Sequence, residues 1–283
     1  MWRCNSLDVL TGAVLPTAPV SSKNMSDDTA IKDWVCEVLN ELGLTAKPVP
    51  VADGQRTPDL EATDGNHSFL FEIKTKMDDP ATITSDAKRV HEGESVVRST
   101  AIDHNNNLSA IVRDAADQLQ LPQPLEAIRL LWLIAGGSEP VRQKEQVYAT
   151  LYGVRQVADS TARETRRCFY FDFNEFFKLQ GMLDGAIVCW PENGVTKVEL
   201  FVNSHSAYVE EIRDSALYKN LPDGVCDPEI LEREEVAYLA DTNIDRRNSD
   251  AVLDYIRDKY KNPNLFAFPA MSYITGIVRF QNH

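Results

Sequence analysis

The chain has 283 residues, 43% of them hydrophobic and 25% charged, with 29 Lys and Arg against 43 Asp and Glu for a formal net charge of −14. At roughly 150 residues per domain this allows one large domain or two small ones, and the composition excludes collagen, low-complexity disorder and a disulfide scaffold. The negative field repels polyanions, so contact with a phosphate backbone requires a local basic surface.

Residues 1–25 read as a disordered leader, because the weakly apolar stretch Leu7 to Val20 is broken by Pro16 and Pro19 and lacks the basic start of a signal peptide. Asp28 to Gly43 is predicted as a helix: Ile31, Trp34, Val35, Val38, Leu39 and Leu42 share a face, and Gly43 stops it. An extended stretch follows over Thr45 to Val51, then a turn at Asp53-Gly54 and a short extended segment over Thr57 to Ala62. Asp64-Gly65 has the composition of a hairpin turn, and Ser68 to Thr75 that of a strand. Residues 77–107 are polar and read as loop. Leu108 to Leu121 is predicted helical on the spacing of Leu108, Ile111, Val112, Ala115, Ala116 and Leu119, ended by Pro122 and Pro124.

The apolar run Ala127 to Ala135 reads as a strand buried on both faces. Glu139 to Val157 reads as a helix capped by Ser138, with Pro140 in its first turn. Arg167 to Asp172 reads as a strand followed by a short helix through Phe176 and Leu179, its aromatic run suiting core packing. Gly185 to Trp190 and Thr196 to Asn203 read as paired strands across the turn Pro191-Glu192-Asn193-Gly194. Residues 206–283 read as an acidic, mainly helical C-terminal extension packed on a core spanning 26–205; from Val209 to Asn262 there are 14 acids against 8 bases. The alternation of helices and strands implies an α/β layered fold with a mixed central sheet and flanking helices.

The five cysteines lie far apart without a C-x-x-C pair, and the five histidines show no H-x-x-x-H spacing. That argues against structural zinc and suits a cytoplasmic location. No run of about 18 apolar residues marks a membrane span. Gly136-Gly137 lacks the spacing of a dinucleotide-binding turn.

One constellation carries chemistry. Pro58-Asp59 is followed after twelve residues by Glu72-Ile73-Lys74. Side chains alternate along a strand, so Glu72 and Lys74 share one face while Phe71 and Ile73 take the other. Asp59, one hairpin away, comes to lie across from Glu72. Two carboxylates and an ammonium gathered on rigid strands are costly to bury, and a divalent cation is one compensation. Oxygen-only ligands favour Mg²⁺ or Mn²⁺. Lys76 extends the same face, at the reach of a phosphate or at the strand's wet end.

The segment TPDLEATDGNHSFLFEIKTK, with Pro58, Asp59, Glu72 and Lys74, resembles the signature of the PD-(D/E)xK nuclease superfamily. The resemblance covers roughly residues 30–135. It implies a restriction-endonuclease-like three-layer fold and Mg²⁺-dependent hydrolysis of DNA phosphodiester bonds by an endonuclease, in restriction, phage defence or repair. It further implies that Asp59 and Glu72 bind the metal together with the carbonyl of Ile73, and that Lys74 assists the attacking water. A glutamate from the preceding helix often joins the metal; Glu37 is the first choice here and Glu41 the second. Arg113 and Gln118, on the helix after the core strands, are implied as substrate contacts beside Lys76. RNA is not excluded as a substrate, and a homodimer or a partner protein remains open. The alternative is a nuclease-like scaffold without catalysis that binds protein or nucleic acid, which the net charge and the acidic tail favour.

Overall fold

Apolar residues at helical spacing and alternating β-branched residues generate the elements in this order. The computed structural model describes residues 3–4, 13–15, 28–50, 56–120, 126–137, 139–221, 224–268 and 271–277. The first half contains β1 (Arg3–Cys4), β2 (Ala13–Leu15), α1 (Asp28–Glu41), β3 (Thr45–Pro48), β4 (Leu60–Thr63), β5 (Ser68–Lys76), α2 (Pro80–His91), β6 (Val96–Ile102), α3 (Asn106–Leu119), β7 (Ile128–Ala135) and α4 (Pro140–Tyr152). Then come β8 (Arg155–Asp159), β9 (Glu164–Phe169), α5 (Glu175–Lys178), β10 (Gly185–Glu192), β11 (Val195–Val202), α6 (Val209–Asp214) and α7 (Ala216–Lys219). The last elements are β12 (Val225–Cys226), α8 (Pro228–Arg233), β13 (Ala237–Leu239), α9 (Ser249–Lys259), β14 (Leu265–Ala267) and β15 (Met271–Ile277).

The central sheet has the order β12-β11-β10-β7-β5-β4-β3, with β2 also on β11. β3, β4 and β5 form an antiparallel meander, and β5, β7 and β10 run parallel. The sheet is therefore mixed. It is buried on both faces, which accounts for the nearly uninterrupted apolar sequence of β7. Ile128, Leu130, Trp132 and Ile134 point into one core with Val35 and Leu39 of α1, Ile212 of α6 and Leu217 of α7. Leu131, Leu133 and Ala135 point into the other, with Val112 of α3, Tyr148 and Leu151 of α4 and Phe169 of β9. A second sheet, β1-β9-β8-β14 with β13 also on β9, closes that side. The mixed α/β architecture with a helix-flanked central sheet expected from the sequence is present.

Several elements differ from the sequence reading. Within the stretch read as a disordered leader, β1 pairs with β9 and β2 with β11. The rest of the leader, the Asp53-Gly54 turn, Leu121, Pro122, Pro124 and the Ser138 cap lie outside the described residues. Residues 77–107 contain a helix and a strand: α2 starts at Pro80 behind an Asp79 cap, and β6 pairs with β15 from the far end of the chain. The helix expected over Glu139 to Val157 stops at Tyr152, where Gly153 adopts a left-handed conformation (φ 58°), and the chain continues as β8. The strand expected over Arg167 to Asp172 begins earlier, at Glu164, and ends at Phe169. Residues 206–283 supply α6 to α9 and also strands: β12 joins the central sheet, β13 and β14 the second sheet.

Candidate functional site

The site is built where the β3–β4–β5 meander meets α1 and α3. The turn before β4 places Asp59 beside the middle of β5: the Asp59 N–H donates to Phe71 O at 2.9 Å, and the Ile73 N–H donates to Asp59 Oδ2 at 2.8 Å. Backbone bonds in both directions fix the carboxylate against the strand. A residue's N–H and C=O point to the same edge of a strand, so the Ile73 carbonyl faces the edge that Asp59 occupies. Phe71 and Ile73 turn toward the α1 core. Glu72 and Lys74 turn to the opposite face, under α3, as the alternation requires.

That face is covered. The Glu72 side chain is 4% exposed, with Oε1 3.0 Å from Lys74 Nζ. Its Oε2 is buried and has no hydrogen-bond partner among the described residues. Burial, reinforced by the negative charge of Asp59, raises the Glu72 pKa to about 7 despite the pull of Lys74. Lys74 Nζ also donates to Asp114 Oδ2 at 2.7 Å. Burial works to lower the Lys74 pKa, but its bonds to Asp114 and Glu72 outweigh this and hold it above the ordinary lysine value. Lys74 is thus a fixed cation. Its contact in turn lowers the Asp114 pKa.

The ends of this chain of charges come from the helices. Lys32 of α1 lies 2.7 Å from Asp59 Oδ1 and 3.1 Å from Asp28. Gln118 of α3 donates to Asp114 Oδ2 at 2.8 Å, and Arg56 Nη1 lies 3.4 Å from Asp114 Oδ1. The sequence, from one helix to the other, therefore runs Lys32, Asp59, Glu72, Lys74, Asp114, Gln118.

Of the residues singled out from sequence, Asp59, Glu72, Ile73 and Lys74 come together, and Gln118 stands behind Asp114. Glu37 and Glu41 are exposed. Glu37 lies about 140° around α1 from Lys32, because each helical residue turns about 100°, so the residue that α1 sends to Asp59 is a lysine. Arg113 points away into a separate cluster: its Nε and Nη2 donate to Glu175 at 3.0 and 2.7 Å, where Ser109 Oγ also donates. Lys76, at the end of β5, donates to the Met77 carbonyl at 3.3 Å. Two participants were missed, Lys32 and Asp114. Asp114 carried one signal, a position four residues before Gln118 on the same helix face.

The donor set suits a hard cation in kind: a backbone carbonyl and two carboxylates, one of which, Glu72, has a buried oxygen without a hydrogen-bond partner among the described residues. Among the described residues no group of three or more His, Cys, Asp or Glu is arranged to hold a metal ion. A cation here would replace Lys32 on Asp59 Oδ1. Most of the aromatic run of the sequence is core, with Phe169, Tyr170, Phe171 and Phe176 at most 1% exposed, whereas Phe177 is half-buried and Phe173 is exposed. Among the described residues no helix is long and apolar enough to cross a membrane, and Cys36, Cys168, Cys189 and Cys226 are free thiols. Compared with known proteins, the chain matches no protein-family model, no curated protein and no solved structure.

Proposed function

We infer that the protein is a divalent-metal-dependent phosphodiesterase acting on DNA, with a restriction-endonuclease-like arrangement of β3, β4, β5, α3 and β7. One observation carries this reading: Asp59, Glu72 and Lys74 converge at the middle of β5, with a Glu72 oxygen buried and without a hydrogen-bond partner among the described residues. An orphaned buried carboxylate oxygen is costly unless another group completes it. Asp59, Glu72 and the Ile73 carbonyl would hold Mg²⁺ or Mn²⁺. The bound ion would polarise a phosphate oxygen and acidify water.

The chain's own residues supply the rest. Lys74 stays protonated between Glu72 and Asp114, so its part is to stabilise negative charge that develops on the phosphate, not to accept a proton. Asp114 and Gln118 position that ammonium. The Ile73 N–H orients the Asp59 carboxylate, and α3 keeps bulk water from Glu72. Lys32, now on Asp59 Oδ1, would have to yield that oxygen to the ion.

The test is cleavage of plasmid and single-stranded DNA with Mg²⁺ or Mn²⁺ by the wild type, Lys74→Ala and Asp59→Ala. Loss of a preorganised charge of this kind lowers rates about 10²-fold or more. Equal cutting by all three proteins would remove these residues from the reaction.

A second reading has its own support. Lys32 and Lys74 already neutralise Asp59 and Glu72 within the protein, as they would in a scaffold that binds without catalysis. Calorimetric titration with Mn²⁺ separates the two, because such a scaffold gives no saturable heat.

A further inference from the structure

Beyond Lys76 the strand face that carries Glu72 and Lys74 opens into a cavity of about 480 Å³ between α2, β6 and the first turns of α4. This volume lies in the range of small-ligand sites. Its lining is unusual in one respect. Gln143 is only 2% exposed, and its Nε2 donates to Asp78 Oδ1 at 2.7 Å. Its Oε1 is buried with no hydrogen-bond partner among the described residues. A buried amide oxygen without a partner, on a residue that lines a cavity, asks for a donor.

The remaining lining limits what that donor is. Arg98 is paired with Asp86 at 2.6 Å and Arg142 with Glu139 at 2.5 Å, and Asp79 caps α2 through the Ala81 N–H at 3.1 Å. A neutral N–H donor meets the open acceptor on Gln143 without the cost of taking a charge out of water. Ile83, Val90 and Val96 supply apolar surface for the faces of a flat ligand. Lys76 lies between the cavity and Lys74 along the strand and offers a cation to a phosphate attached to that ligand.

We propose that the cavity takes a single nucleobase bearing an exocyclic amine, which donates to Gln143 Oε1 while the adjoining phosphate meets Lys76. The choice of a nucleotide among neutral amine donors rests on the phosphodiesterase reading. The binding site itself rests on the cavity and on Gln143. Adenine, cytosine and guanine carry such an amine; thymine has only its ring N3–H, set between two carbonyl oxygens that would repel Gln143 Oε1.

The experiment titrates the full chain, in EDTA, with dAMP, dCMP, dGMP and TMP by calorimetry and ligand-observed NMR. At least one of the three amine-bearing nucleotides is expected to bind about tenfold or more tighter than TMP, the factor for one unmet buried hydrogen bond. Gln143→Leu should erase that preference. Ile83→Trp, at a position 47% exposed and so tolerant of a larger side chain, should weaken every nucleotide and keeps the test decisive if Gln143→Leu does not fold. Failure of all four to bind, or equal binding of TMP, overturns the proposal, as does an unaltered preference in a folded Gln143→Leu. No metal is present and nothing is cleaved. Preferential binding by a protein that does not cut DNA would therefore sustain the cavity and bring down the phosphodiesterase, and cutting without nucleotide preference would do the reverse.

Discussion

Glu72 keeps one oxygen on Lys74 and leaves the other without a hydrogen-bond partner among the described residues. Burial raises its pKa to about 7, which brings its protonation into the neutral range. A cation bound there must displace that proton. Below pH 7, Mn²⁺ affinity should therefore climb about tenfold per pH unit, and it should level off above pH 8. Calorimetric titrations at half-unit intervals from pH 5.5 to 8.5 measure this slope. Glu72→Gln should bind weakly and without the slope, and an affinity flat across pH 6 to 7 in the wild type would show that Glu72 is not a ligand. The residue pattern made this group legible, since alternation alone puts Glu72 and Lys74 on one face. It could not show that the face is roofed by α3, because the roof comes from a separate helix whose rotation depends on its own packing.

At the scale of elements, α1 and α4 show how a correct helix can still carry a wrong expectation. The apolar stripe of α1 fixes which side is buried, yet Glu37 and Lys32 both stand outside it, and only the seating of the helix against β4 decides which of them meets Asp59. Lys32→Met should remove a competitor for Asp59 Oδ1 and tighten Mn²⁺ binding several-fold, whereas Glu37→Gln should leave it unchanged; competition against a fluorescent chelator reads both. In α4 the apolar pattern runs on past the helix end, because β8 is buried too. The stop is set by Gly153, whose N–H donates to Ala149 O at 2.8 Å. A Cβ added there would stand 2.2 Å from the Asp172 carbonyl oxygen, with φ at +58°. Gly153→Ala should cost at least about 2 kcal/mol in urea unfolding. α2 was overlooked although Ile83, Ala87 and Val90 are spaced as on a helix, because most of its side chains remain in water and its threonines and serine favour helix only weakly. By contrast, β10 and β11 were read closely. Their turn, Asn193-Gly194, has positive φ at both residues (51° and 80°), the hairpin geometry that this dipeptide favours.

At the scale of the whole molecule, two cores lie on either side of one sheet, and the larger contains a buried pair of titratable groups away from the candidate site. Glu199 of β11 is completely buried, 3.5 Å from Lys144 of α4, and neither of its oxygens has a hydrogen-bond partner among the described residues. Burial raises its pKa to about 7 from an ordinary 4.5, against the attraction of Lys144. The folded state therefore keeps a proton that the unfolded state has lost between those two values, and the stability due to this group falls as pH rises through that window. Glu199→Gln removes the ionisation. Its stability relative to the wild type should improve by about 2–3 kcal/mol from pH 4.5 to pH 8, measured as the change in urea midpoint at each pH. A constant difference would mean that Glu199 ionises as freely in the fold as in the open chain. The cluster was not legible beforehand: Lys144 and Glu199 are separated by a helix and three strands, and only the closed structure makes them neighbours.

The ribbon formed by β6 and β15 ties Val96–Ile102 to Met271–Ile277, and β6 supplies one wall of the cavity next to the candidate site. During synthesis the chain emerges from its N-terminus, so every strand of both sheets leaves the ribosome before β15 does. A nascent chain can thus gather Asp59, Glu72 and Lys74 while β6 still lacks its pairing strand. Chemistry and ligand capture would then mature in that order, the pocket's outer rim being finished only by a segment translated some 170 residues after the wall it braces.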